Sequence, residues 1–227
     1  MSAQKDNETP RRPGRPRGKK SGTANREQLM DIALALFARH GFAPVSLNAI
    51  AKEAGVTPAM LHYYFSSRET LVEQLMEERF MPLRNDISQI FVAHPEEPVA
   101  ALRQLVEALA KIAEKNTWFA PLWMQEIIGE MPVLHQHMRK RFGDEKHHQM
   151  LESVRRWQRE GKINPALSPE LLFTSLISLV LVPFSRTRTD IRLQHIDSQT
   201  IVDHALAMMR SGITGKRSPD ASGELKD

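Results

Sequence analysis

Cysteine is absent from the 227 residues. That removes disulfides, thiolate metal sites and cysteine nucleophiles, and it fits a reducing compartment. No apolar h-region opens the chain, so no secretory signal is expected. The longest apolar run, 171–184, is interrupted by Thr174, Ser175 and Ser178. It falls short of the ~20 residues a membrane span needs, and no membrane partner is expected. No alternating strand pattern stands out, which leaves an all-α fold class. No nucleophile–base pairing, phosphate loop or HExxH spacing supports enzyme chemistry. Gly215-Lys216 lacks the earlier glycine and the following Ser or Thr that a phosphate loop needs. His135 and His137 stand two apart, and His147 and His148 are adjacent. Such spacings point to different faces of a helix, so neither a metal site nor a cofactor is expected. The chain is expected to be soluble and cytoplasmic.

Charge is present but uneven. The whole chain carries +4, while residues 1–27 hold eight basic and three acidic side chains, a net +5, leaving the remainder at −1. Residues 1–23 have no apolar periodicity, are rich in Pro, Gly, Lys and Arg, and are expected to be disordered when free. A polyanionic partner at that end is the natural inference. The run from Arg12 to Arg17 resembles an AT-hook, with Gly14 for close backbone approach, Pro16 for extension and Arg15 aimed into a narrow minor groove. The alternative is a solvated arm whose Arg15, Arg17 and Lys19 touch phosphates alone.

The chain is organised around 47–65, LNAIAKEAGVTPAMLHYYF. Leu47, Ile50, Ala51 and Ala54 recur on one helical face. Gly55 suits a left-handed helix end, and Val56 can fill the elbow. Thr57 is an N-cap and Pro58 takes the first position of a second helix, which buries Leu61 and Phe65. Pro58, Ala59 and His62 then face outward, flanked by Tyr63 and Tyr64. The pattern predicts a helix-turn-helix, the motif that lays its second helix in the DNA major groove. The alternative is an ordinary helical hairpin in a bundle core.

The flanks lower that alternative. A first helix is predicted from about Asn25 to His40, with Asn25 and Gln28 as a capping pair, a stripe of Leu29, Ile32, Ala33, Leu36 and Phe37, and Gly41-Phe42 closing it. Ser66 and Glu69 read as a capping box opening a fourth helix, with Leu71, Val72, Leu75 and Met76 inside. Together these motifs are Ala33-x3-Phe37-x3-Gly41-Phe42, Ile50-Ala51-x2-Ala54-Gly55-Val56 and Leu61-x-Tyr63-Tyr64-Phe65-x2-Arg68-Glu69-x-Leu71. They resemble the DNA-binding domain of the TetR family of bacterial transcriptional regulators (TetR/AcrR type), over about a quarter of the chain. The resemblance implies a double-stranded DNA operator, a homodimer and a small-molecule effector. It assigns base contact to Thr57, Pro58, Ala59, Met60 and His62, and phosphate contact to Tyr63, Tyr64 and Arg68, with Ser46 in the same DNA-facing set. Arg68 at a helix N-terminus, where free N–H groups attract phosphate, supports its assignment independently. Two departures bear on the operator sequence: His62 stands where the family most often has tyrosine, and Arg68 where lysine is commoner.

Beyond residue 82 no motif appears. Helices are predicted from Pro98 to about Lys115, from a Thr117 cap to Gly129, from Pro132 to Gly161 with Gly143 as an interruption, from Ser168-Pro169 to about Val182, and over about Ser198–Arg210. Leu172, Leu176, Leu179 and Val180 make one helix apolar all round, hence buried. The resemblance places a dimer interface on the last two helices, here Leu172, Leu176, Leu179, Val180, Ile201, Ala205 and Met208; the monomer core is the alternative. Trp118, Phe119, Trp123, Met124, Met131 and Met138 concentrate soft apolar side chains that can line an effector pocket, with Gln125, Glu126 and His135 as polar anchors, or can simply be core.

The expected organisation is a basic arm (1–23), a helix-turn-helix domain (24–84), a helical effector and dimerisation domain (85–211) and a tail (212–227). The expected function is a repressor, associated with the nucleoid, that leaves a palindromic operator when a small molecule binds. The rival is an architectural DNA binder dominated by its arm.

Overall fold

The computed structural model describes residues 25–128, 136, 137, 139, 140, 143 and 145–213. Arg15, Arg17 and Lys19 of the arm, Met131, His135 and Met138 mid-chain, and residues from 214 on lie outside the described residues. Among the described residues the fold is all-helical.

Helix α1, Arg26–His40, opens on a capping box. Asn25 Oδ1 accepts from the Gln28 amide at 2.9 Å, and the Gln28 side chain accepts from the Asn25 amide at 3.0 Å. Met30 and Leu34 are fully buried beside the predicted Leu29, Ala33 and Phe37, while Ile32 is only half-buried. The buried arc is wider than one stripe because α1 is covered from more than one side. Gly41 closes the helix by donating to Phe37 O at 2.8 Å, and the rings of Phe37 and Phe42 stack at 4.5 Å.

Helix α2, Leu47–Ala54, starts at Ser46 and ends at Gly55, which is left-handed at φ 67°. The Val56 amide donates to Ala51 O at 3.0 Å, closing a Schellman turn, and Val56 packs on the core. Helix α3, Pro58–Tyr64, is capped by Thr57. Helix α4, Arg68–Leu75, is capped by Ser67, whose hydroxyl accepts from the Thr70 amide at 3.1 Å. The cap is therefore one residue later than the Ser66–Glu69 pair suggested. Phe65 is fully buried at the end of α3, and the chain takes one more non-helical residue to leave it.

From α4 the backbone stays helical through a π turn, Met76–Phe80, into α5, Met81–Ala93. Pro82 explains the widened turn: it has no N–H, and in a regular helix its ring would strike the carbonyl four residues back. A single rod thus leads from the helix-turn-helix to the second half of the molecule.

That half holds α6, Pro98–Lys115; α7, Phe119–Ile128; α8, Glu145–Arg159; α9, Pro169–Thr189; and α10, Ser198–Ile213. Helix α7 begins one residue too late for Thr117 to cap it. Gly143 and Gly161 both carry positive φ, where an interruption and a stop were expected. Helix α9 runs seven residues past the expected end, straight through Pro183. Tertiary contacts hold the extra turns: Phe184 is buried and Arg188 donates to Ala113 O at 3.1 Å. The resulting helix has 21 residues and contains an 18-residue window of mean hydropathy 1.3, long and apolar enough to cross a membrane by composition. Here it packs against α6, α7, α8 and α10, which accounts for its buried Leu172, Phe173, Leu176, Val180, Leu181 and Phe184. Helix α10 ends at a buried Ile213, whose carbonyl accepts from the Asn164 amide at 2.9 Å.

Among the described residues, two hydrophobic cores result. One is built from α1 to α4 and the π turn; the other centres on α6, α9 and α10, with Trp157 of α8 fully buried and its indole donating to Pro95 O at 2.7 Å.

Candidate DNA-binding face and its link to the second core

Leu61 and Phe65 are fully buried, so α3 has one committed face. The other carries Thr57, Pro58, Ala59, His62 and Tyr63, all exposed, with Met60 and Tyr64 half-buried at its edges. Tyr63 is 83% exposed, with its ring and hydroxyl open to solvent. Ser46 is exposed at the start of α2; its hydroxyl accepts from Ala49 N at 3.2 Å, as Thr57's accepts from Met60 N at 3.3 Å. Capping uses the acceptor side of each hydroxyl and leaves the O–H free to donate to a phosphate. The His62 ring donates from Nδ1 to Ser66 O at 3.3 Å, which leaves Nε2 as the ring's remaining polar atom. Of the residues assigned from the sequence, Ser46, Thr57, Pro58, Ala59, His62 and Tyr63 are exposed, and Met60 and Tyr64 half-buried.

Arg68 departs from its assignment. Its Nε donates to Val45 O at 2.9 Å, its Nη2 to Phe42 O, and its guanidinium lies 6.0 Å over the Phe37 ring. The side chain is engaged within the domain, because two turn carbonyls lie within reach of one edge of the guanidinium.

A second arginine set ties the start of α1 to the π turn. Arg26 donates to Gln74 Oε1 at 2.7 Å and to the Glu78 carboxylate, and Arg79 bonds Asp31 at 3.2 Å and Glu27. The hydrogen bond from Arg26, then its charge, holds the Glu78 carboxyl below the usual range.

The aromatic cluster is a joint between the cores. Trp118 packs against both, with its ring 5.1 Å from Phe80 of the π turn. Phe119 is buried in the second core and stacks at 6.2 Å on Trp123, which is half-buried like Met124. Leu122 belongs to the first core, and Gln125 donates from Nε2 to Ala38 O at 2.7 Å. Gln125, read from the sequence as a pocket anchor, instead fastens α7 to the end of α1. Sequence offers no signal for this, since 87 residues separate the partners.

The dimer-interface assignment needs correction. Leu172, Leu176, Val180, Ile201 and Ala205 are at most 5% exposed inside this subunit and cannot face a partner. Their apolarity marks the subunit core. Leu179 is half-buried, Met208 is 53% exposed and Leu171, outside the expected set, is 63% exposed.

A glycine-closed helical elbow with a capped, outward second helix has the form of a helix-turn-helix. Residues 29–75 match the model of bacterial regulatory proteins of the tetR family. The chain is 33% identical to the HTH-type transcriptional regulator BetI of Rhizobium meliloti over 96 residues, 42% of this chain and 45% of that protein. The chain thus spans about half the length of the curated relatives it matches. Its fold is similar to that of HlyIIR, a hemolysin II transcriptional regulator (TM-score 0.60, 24% identity, 85% of this chain and 100% of that one). It is also similar to the ketosteroid transcriptional regulator KstR2 of Mycobacterium tuberculosis (TM-score 0.58, 20% identity, 86% and 97%). The match to the tetR family of bacterial regulatory proteins thus lies in the N-terminal domain, residues 29–75.

Proposed function

We propose that this regulator is a repressor that binds a palindromic operator as a homodimer, in the cytoplasm, and is released by a small molecule bound in its second core. The observation that carries the proposal is the reach of α7 into both cores, through Trp118, Leu122 and Gln125. A ligand that repacks the second core displaces α7, and α1 moves with it. In a two-fold dimer the recognition helices sit about one DNA turn apart, ~34–36 Å, so a small displacement of each α1 changes a spacing the operator does not tolerate. Thr57, Pro58, Ala59, Met60 and His62 then meet base edges, while Ser46, Tyr63 and Tyr64 meet phosphates. The partner subunit packs on the outer faces of α9 and α10, around Leu171, Leu179 and Met208. The arm, with Arg15, Arg17 and Lys19, follows the minor groove beside each half-site.

Selection of duplexes from a random-sequence library, followed by footprinting, tests this. A short palindrome protected at protein concentrations where a dimer sediments supports the regulator. Diffuse protection of A·T-rich DNA by a monomer supports an architectural protein instead.

A further inference from the structure

Arginine offers five N–H donors in a rigid fork, and Nε and one Nη on the same edge can clasp two acceptors at once. Arg68 uses that edge on Val45 O, at 2.9 Å, and on Phe42 O. Both carbonyls belong to the non-helical turn between α1 and α2, which has no helical ladder of its own. The Phe37 ring backs the guanidinium at 6.0 Å, and that ring also stacks on Phe42 at 4.5 Å. The residue after Val45 is Ser46, the exposed cap of α2. The arginine itself sits at the first position of α4, the helix that continues into the second core.

From this geometry we infer that Arg68 is a positioning residue, which locks the α1–α2 turn to α4 so that α2 and α3 move with α4 as one body. Its contribution to DNA binding, which rests on the function proposed above, runs through the placement of Ser46 and the recognition helix and not through a phosphate contact. Lysine cannot replace it. A single ammonium on a flexible stem can meet a phosphate, but it lacks the planar edge that spans two carbonyls.

The test uses the full-length protein, Arg68→Lys and Arg68→Gln, and as probe the duplex selected by the wild-type protein, titrated across a potassium chloride series. A clamp predicts that Lys and Gln both weaken binding ~10-fold, the cost of re-ordering about one residue of the freed turn on the duplex, with the salt slope unchanged. A phosphate contact predicts that Lys keeps near-wild-type affinity and that Gln lowers the slope magnitude by ~0.9; either result overturns the inference. Hydrogen exchange over residues 41–49 is the second readout, independent of DNA. Faster exchange there in both variants, with α6 unchanged, supports the clamp even if the wild-type protein selects no duplex, an outcome that would defeat the DNA-binding reading alone. Unchanged exchange over 41–49 in Arg68→Gln overturns the clamp.

Discussion

Gln125 and Ala38 are joined by a 2.7 Å hydrogen bond from the side-chain amide to the backbone carbonyl, across the boundary between the two cores. Gly41 lies against the same side chain: at φ 81° and ψ 169° it occupies a region open essentially to glycine, and a Cβ there would stand 3.0 Å from Gln125 Oε1. Gln125→Ala is expected to destabilise the protein by ~1–3 kcal/mol through the unpaired carbonyl. Gly41→Ala is expected to lose ~1–3 kcal/mol from backbone strain, plus a crowding contribution. In the double variant the crowding disappears, so the losses should fall short of additivity by at least ~0.5 kcal/mol. Urea unfolding of the four proteins measures this, and strict additivity would refute the contact.

Core and outer-face positions of α9 separate cleanly. Leu176→Glu places a charge at a site 3% exposed and should abolish cooperative unfolding. Leu171→Glu combined with Met208→Glu should retain the helical circular dichroism and thermal transition of the wild type while sedimenting as a monomer. A double variant that remains dimeric would move the interface elsewhere.

Replacing His62 by alanine should relax sequence preference at one operator position, by ~1–3 kcal/mol for a good base contact. Tyr63→Phe removes only a hydroxyl and should weaken all duplexes alike. Repeating the duplex selection with each variant decides the matter: an unaltered preferred sequence for His62→Ala excludes a base contact.

The α1 to π-turn network sets an acid limit. Glu78 has its carboxyl held below the usual value of 4.5 by the hydrogen bond and charge of Arg26. A depressed carboxyl contributes stability above its unfolded value, and that contribution fades as pH falls through the lower folded one. Glu78→Gln should therefore be less stable than wild type by about 1 kcal/mol near neutrality, the scale of a half-exposed pair, and the two should converge in acid below 4.5. Denaturant titrations at a series of pH values test this; a gap that persists in acid would show that Glu78 acts through packing.

Deleting residues 1–20 removes seven basic and two acidic side chains, the whole of the +5 carried by residues 1–27. Each phosphate the arm neutralises adds ~0.9 to the magnitude of the slope of log K against log salt, so the deletion should weaken binding most at low salt and flatten that slope. If Arg15 occupies a narrow minor groove, exchanging flanking A·T pairs for G·C should weaken the full-length protein and leave the truncated one nearly indifferent. Equal affinity, slope and flank preference with and without the arm would refute an arm contact.

Local chemistry makes the helix-turn-helix legible in the amino-acid sequence. Asn25, Ser46, Thr57 and Pro58 start helices, Gly41 and Gly55 stop them, and Leu61 with Phe65 fixes which face of α3 is inward; all act within a few residues. Signals of the same kind mark Pro98, Gly143, Gly161 and Ser168-Pro169 as boundaries. They fail wherever the deciding partner is distant in the chain. Composition does not say whether Leu172 and Leu176 face a neighbouring subunit or α6, because burial has no preferred partner. The helix from Pro169 reads as ending near Val182 until Phe184 and Arg188 find places against the rest of the fold. Arg68 reads as a phosphate ligand until the carbonyls of Phe42 and Val45 come within reach, and Gln125 as a pocket group until α7 settles on α1. Caps, turns and periodicity are properties of short segments and are set by the sequence itself. The clamp, the joint between the cores and the division of α9 into inner and outer faces exist only once segments far apart in the chain pack together.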